Sequence, residues 1–346
     1  MKKRLLAMLM AGAMTLTMTA CGGPKTDEGE GGSAQAGGKT YKIALLMSHQ
    51  TNAFTTAVSE GAKAKGEELG VQVDVVDGKQ DQAQQASQVE QCISQGYDGI
   101  LVEPISVDGI VPSVKAANEA GIPVITVVQK MSDQSLAVAY CGGNDAAAGE
   151  LQMTEAVKAL GGKGNIVVLY GPMGSDGQLI RKEGYDKILA ENPDVKIVFE
   201  DTANWTTDEA LTKMETWLQT GTEINAVVAQ NDSMALGAQK AIEDVGKQDD
   251  ILVFGVDAVP EGLDSVAKNK MDGTVSQDAA GQGALGVETM VKHLKGERSR
   301  LSVTLLFCKG AARRNNFCRA VLLGCHPFWR SNVGRLRQST VFLSRE

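Results

Sequence analysis

From Lys42 to Gly296 the chain keeps returning to one pattern: a short apolar run, then a stretch of helical length. The first series contains "KIALLM", "VQVDVV", "DGILVEP", "PVITVV" and "SLAVAY", with helices expected over 53–69, 80–95 and 107–120. The second contains "GNIVVLY", "VKIVFED", "INAVVAQ", "ILVFGVD" and "GTVSQ", with helices over 177–191, 207–220, 233–246, 260–269 and 280–296. Apolar runs without polar alternation, separated by helices, predict parallel strands buried on both faces. Two such series predict an α/β chain of two similar lobes. Few other architectures absorb that order of elements.

What precedes the body has a different character. "MKKRLLAMLMAGAMTLTMTACGG" opens with Lys2, Lys3 and Arg4, continues apolar, and ends in small residues before Cys21. That is the layout of an export signal, and the apolar run is short for a membrane-spanning helix. "MTAC" resembles the lipobox of bacterial lipoproteins, with Met18 where Leu is commoner. The resemblance implies residues 1–21 as signal peptide, Cys21 as the lipidated residue, and an extracytoplasmic protein anchored to the membrane. Residues 22–39, rich in Gly and acidic groups, predict a flexible tether of roughly 25 Å r.m.s..

In open parallel sheets, ligands bind outside the carboxyl ends of the strands. Here those ends are polar. "ALLMSHQTNAF" brings Asn52 and Phe54, "VVLYGPMGSDGQLIR" brings Arg181, and "VFEDTANWTTDEA" brings Trp205. "VVAQND" brings Asn231 and Asp232, "VFGVD" brings Asp257, and "GTVSQD" brings Gln277. Each has a plainer reading. Asn231 and Asp232 serve equally as helix caps, Asp257 as a turn residue, and Trp205 as core. Arg181 is one of only two arginines before residue 297, in a body that otherwise uses Lys. That choice points to a bidentate role that Lys does not fill.

Several chemistries are disfavoured. "GPMGSDG" lacks the Gly-Lys-Ser/Thr of a phosphate loop, and no dinucleotide fingerprint occurs. The three histidines, at 49, 293 and 326, are far apart, and no metal spacing appears, so neither a cofactor, a metal nor an enzyme's nucleophile is indicated. A net charge of −8 argues against nucleic acid.

The segments "AQNDSMALGAQKAI", "VFGVDAVPEG" and "GIPVITV" resemble the periplasmic sugar-binding proteins of type I fold, the ribose/galactose/xylose group serving ABC importers. The resemblance runs from about Tyr41 to Gly296. It implies two Rossmann-like lobes joined by a hinge: residues 40–142 plus about 278–296, and residues 143–277. A sugar or polyol would lie between them. By matched motif, Asn52 and Phe54 contact it from the first lobe and Arg181 grips hydroxyls from the second. Trp205 packs on the ring, and Asn231, Asp257 and Gln277 complete the hydrogen bonds, leaving Asp232 or Ser233 to cap the helix. The partners implied are a small sugar or polyol and an ABC permease, with the protein a monomer. A sensory protein presenting ligand to a chemoreceptor or kinase would share fold and site. A related sugar-responsive repressor would carry a DNA-binding helix pair where this chain has its export signal. One departure is plain: ribose-binding relatives continue "PVIT" into an Asp-Arg pair, where this chain has Val128-Gln129.

Residues 297–346 break the pattern. They hold nine Arg and one Lys against two Glu, a net of +8, so the rest of the chain carries −16. This segment does not resemble the family's ending. It suggests a frame-shifted or otherwise altered end, with the final strand absent and closure weakened, over a basic module binding a membrane or acidic partner. Cys92, beside Val89 and Ile93, is expected to be a buried thiol, and Cys141 falls at a strand end near the lobe crossing. Cys308, Cys318, Cys325 and His326 form no metal pattern.

Overall fold

A computed structural model describes residues 40–297 and the backbone of 306–309. Cys21, the 22–39 tether and nearly all of the basic tail lie outside the described residues.

The first sheet contains β1 (Lys42–Met47), β2 (Gln72–Asp77), β3 (Gly99–Val102), β4 (Val124–Val127) and β5 (Ala139–Cys141). Its order is β2-β1-β3-β4-β5, all parallel. Helices α1 (Ala53–Leu69), α2 (Gln82–Ser94) and α3 (Val111–Glu119) connect its strands. Both faces of β1 are buried. Ile43, Leu45 and Met47 pack in one core with Val58 and Ala62 of α1, while Ala44 and Leu46 pack in the other with Val89 and Val114. This double burial is why "KIALLM" is apolar at every second and every first position alike.

The second sheet contains β6 (Gly164–Tyr170), β7 (Val195–Thr202), β8 (Ala226–Ala229), β9 (Leu252–Asp257), β10 (Gly273–Ser276) and β11 (Leu306–Lys309). Its order is β11-β10-β9-β8-β6-β7, parallel except for the β10–β11 pair. Helices α4 (Asp145–Ala159), α5 (Asp176–Ala190), α6 (Thr207–Gln219), α7 (Asp232–Asp244) and α8 (Pro260–Ala267) cover it. Ile166, Val168 and Tyr170 face Met153 and Tyr185, and Val167 and Leu169 face Met214 and Met234.

Helix α9 (Ala279–Leu294) follows the second sheet in sequence but packs on α1 and on strands β3 to β5. Glycines make this contact close. A Cβ at Gly61 would lie 2.1 Å from the Ala280 carbonyl oxygen, and one at Gly283 would lie 1.9 Å from that of Val58. The chain therefore crosses between lobes after β5 and again after β10. Tyr140 knits the first crossing: its single O–H is shared between the carbonyls of Val128 and Gly143, both at 3.0 Å. At the second, Gln282 Nε2 donates to the Gln277 carbonyl at 2.6 Å.

Three expectations are corrected. "SLAVAY" is a strand only from Ala139; Gln134–Leu136 is a 3-10 turn. Gln134 Nε2 bonds Thr126 Oγ1 at 2.7 Å, and Asn118 Nδ2 bonds the Leu136 carbonyl at 2.8 Å, so side chains hold this segment before sheet pairing begins. The third helix starts at Val111 and not near 107, with Pro112 in its first turn, where a missing N–H costs nothing. The tail does supply an edge strand: Leu306–Lys309 runs antiparallel to β10, with Gly273 opposite Lys309.

Candidate functional site in the interlobe cleft

The carboxyl ends of both sheets face one cleft. Several connections there leave ordinary backbone geometry: Val128 has φ 61°, Trp205 φ 64°, Asp257 φ 125° and Ala258 φ 55°. Left-handed backbone at a β-branched or bulky residue costs of order 1–3 kcal/mol, and such strain gathers at functional sites. The surroundings hold it in place. Asp232, fully buried, accepts from the Thr274 hydroxyl at 2.6 Å and from Val259 N at 3.0 Å. Thr274 Oγ1 in turn accepts from Ala258 N at 3.2 Å. Asp232 thus fixes the loop that presents Asp257.

The cleft is nearly closed, with about 30 Å³ of free space between its walls, well below the ~300–1,000 Å³ usual for small-molecule sites. Six of the seven predicted residues line it: Asn52, Phe54, Arg181, Trp205, Asn231 and Asp257. Gln277 does not. It is buried behind the wall, where its Nε2 donates to Asp145 Oδ1 at 3.1 Å.

Arg181 and Asp145 form a buried ion pair, Nε to Oδ1 at 2.8 Å. A terminal nitrogen of Arg181 also donates to the Gln230 carbonyl, and the guanidinium carbon sits 5.5 Å from the centre of the Trp205 ring. Burial opposes the charge on Arg181, but Asp145 and Asp257 outweigh it and hold the proton more tightly than usual. The fork joins an acid, a carbonyl and an aromatic face at once, which an ammonium does not do. The Trp205 ring lies where a Cβ at Gly171 would be, 2.0 Å away, so only glycine admits it.

Asn52 and Asn231 each cap a helix. Asn52 Oδ1 accepts from Thr55 N at 3.0 Å, and Asn231 Oδ1 accepts from Met234 N at 2.8 Å. The helix cap of α7 is therefore Asn231 and not Asp232 or Ser233; Asp232 is drawn into the loop network instead. Asn231 Nδ2 donates to the Trp205 carbonyl at 3.2 Å, so it also secures the aromatic wall.

The capping role of Asn52 settles the tautomer of His49. With Oδ1 committed to the helix, the Asn52 amide donates Nδ2–H to His49 Nε2 at 3.1 Å. His49 Nε2 is then an acceptor, and its proton resides on Nδ1, which meets Ser48 Oγ at 2.9 Å. Burial lowers the His49 pKa, against the pull of Glu103 and Asp77, and keeps the ring neutral. Asp257 is pushed the other way: burial and then the charge of Asp232 raise its pKa well above the usual carboxylate range.

Sequence reasoning missed Glu103 and Asp145 as lining residues, together with Thr55 and Gly177; His49 stood among the polar residues that follow β1, and Val128-Gln129 at the position of the ribose binders' Asp-Arg pair. Glu103 was within reach, because "GILVEP" places it one residue past the end of β3, where the other strands also turn polar. Asp145 had no such signal, since it lies on α4 and enters through the lobe crossing. Across the cleft, Lys130 N donates to Asp176 Oδ2 at 3.0 Å and Gly177 N to Gln129 Oε1 at 3.5 Å. The lobes are therefore in contact around the site. Among the described residues no cluster of His, Cys, Asp and Glu has the arrangement of a metal site. Cys92 and Cys141 are buried free thiols, each with its pKa raised by burial to about 11.

A sequence profile described as "Periplasmic binding protein domain" matches residues 43–298. The chain belongs to this family. It is 35% identical over 292 residues to a xylitol-binding protein of Mycolicibacterium smegmatis, covering 84% of this chain and 80% of that one. Its fold is similar to an ABC transporter solute-binding protein from Bacillus halodurans with bound myo-inositol: TM-score 0.73, 36% identity, covering 78% of this chain and 96% of that one. A Caulobacter myo-inositol-binding protein, solved with myo-inositol, gives TM-score 0.75 at 26% identity, covering 79% and 94%. Family members are solute-binding proteins and not enzymes, and the family places this one outside the cytoplasm.

Proposed function

We propose that this chain captures a sugar or sugar-like polyol between its lobes and delivers it to an ABC permease as a monomer tethered to the membrane through Cys21. The observation that carries the ligand class is the make-up of the cleft. Phe54 from one lobe and Trp205 from the other are buried aromatics lining a space whose remaining walls, Val128 and Gly177 apart, are hydrogen-bonding side chains. Aromatic faces suit the C–H face of a saturated ring, and planar amides and carboxyls address neighbouring hydroxyls. The ligands of the xylitol- and inositol-binding relatives have this chemistry. The strand-end contacts from both lobes explain transport competence: a ligand touching both is bound best when the lobes close, so it shifts the protein toward that form. The "MTAC" segment and the Gly-rich tether support anchoring with rotational freedom. The test is a thermal melt of the purified chain against xylitol, ribose, galactose, myo-inositol and linear polyols. The expected result is a raised midpoint with one class. A cooperative melt moved by none of them overturns the polyol reading.

A further inference from the structure

The charge balance of the cleft carries a narrower assignment, which rests on the polyol reading above. We propose that Glu103 sets the ligand class: the site takes a polyol bearing a protonated amine, with the ammonium group against the Glu103 carboxylate.

Four ionisable groups besides His49 line the cleft: Glu103, Asp145, Asp257 and Arg181. Asp145 is neutralised by Arg181 at 2.8 Å. Arg181 is tied to Asp145 through Nε and to the Gln230 carbonyl through a terminal nitrogen. Burial and Asp232 disfavour the charge on Asp257, and Arg181 is a cation that acts on it. His49 is neutral and bonded on both ring nitrogens. Glu103 is what remains. It is 2% exposed, it faces the cleft, and none of the described residues lining that cleft supplies a second cation. Its partners are neutral: Ser48 N donates to Oε2 at 3.0 Å, and Gln129 Nε2 stands 3.5 Å from Oε1, the far limit of a hydrogen bond.

A carboxylate offers about four acceptor positions. Here one is well used and one barely. A buried charge without a counter-charge is costly, and an ammonium placed in the cleft removes that cost while adding a charge-assisted hydrogen bond. A neutral polyol adds only the hydrogen bond. The residue that narrows the other side of this carboxylate is Gln129, one of the two residues standing where ribose-binding relatives carry an Asp-Arg pair. Among the described residues lining the cleft, no cationic side chain bonds Glu103.

The experiment is calorimetric titration of the full-length protein with matched ligand pairs: myo-inositol and its monoamino-deoxy analogues, xylitol and an aminodeoxy-pentitol, glucose and glucosamine. For at least one pair the amine is expected to bind about tenfold tighter than its hydroxyl twin, the ratio that 1.4 kcal/mol corresponds to. Glu103→Gln should bring that ratio to about one, and Glu103→Asp, which keeps the charge, should preserve a preference for the amine. Circular dichroism of both variants checks that they fold. If hydroxyl members bind and no amine binds more tightly, or if Glu103→Gln leaves the ratio unchanged, the assignment to Glu103 is overturned while the polyol reading stands. If no member of any pair binds the folded protein, the polyol reading itself fails and this inference with it.

Discussion

Replacing Arg181 by Met keeps the volume of the side chain and removes its charge. Asp145 is 5% exposed and would lose its one cationic partner among the described residues, at 2.8 Å, retaining Gln277 Nε2 at 3.1 Å. The Gln230 carbonyl, also buried, would lose a donor. Breaking one side of a buried pair costs about 3–5 kcal/mol, because it strands the other charge. Removing both charges together, as Arg181→Met with Asp145→Leu, strands neither, and such replacements are often neutral or stabilising. The double variant should therefore fall short of the sum of the singles by about 2–3 kcal/mol. Arg181→Lys keeps a charge without the fork and should fall between, at about 1–3 kcal/mol. Urea unfolding of ligand-free protein, followed by tryptophan fluorescence, measures all four. The same experiment reports on Trp205, whose ring lies against the guanidinium. If Arg181→Met costs under about 1 kcal/mol, or if the single effects simply add, the pair is not the buried anchor described here.

Other expectations follow from single contacts. Burial raises the pKa of Asp232 to about 7 and raises Asp257 as well, so the folded state holds protons that the unfolded chain releases near pH 4. That contribution to stability is complete below the unfolded values and is lost as pH rises through the folded ones; Asp257→Asn should flatten the decline in urea midpoint between pH 4 and 8. Gly171→Ala puts a methyl group 2.0 Å from the Trp205 ring and should destabilise by about 1–3 kcal/mol, with Trp205 displaced and polyol binding lost in the same titration. Asp176→Asn weakens the bond from Lys130 N across the cleft and should open the lobes, seen as a larger radius of gyration by X-ray scattering and about tenfold weaker apparent affinity for ligand.

The lobes were legible because the apolar runs are unbroken and the helices between them long. Parallel strands buried on both faces leave no polar face to confuse the reading, as β1 shows. Segments held by side chains were not legible: Gln134 and Asn118 convert the start of "SLAVAY" into a turn through bonds to distant residues. Of the site, strand-end position identified Phe54, Trp205 and Asp257, since that rule is geometric. Gln277, also named by that rule, is not among the lining residues and bonds Asp145 instead, and the rule does not reach Asp145, which arrives on a helix. Asn231 carried two readings in sequence, and the structure satisfies both: it caps α7 with one atom and faces the cleft beside Trp205.

The central claim is that one ligand is held by both lobes. Calorimetric titration of the polyol that raises the melting midpoint, repeated with Phe54→Ala in the first lobe and Trp205→Ala in the second, tests it most directly. The account predicts one site per chain and a loss of at least tenfold in affinity for each variant, whichever lobe carries it. Binding that survives either substitution unchanged would place the ligand on a single lobe and contradict the interlobe site.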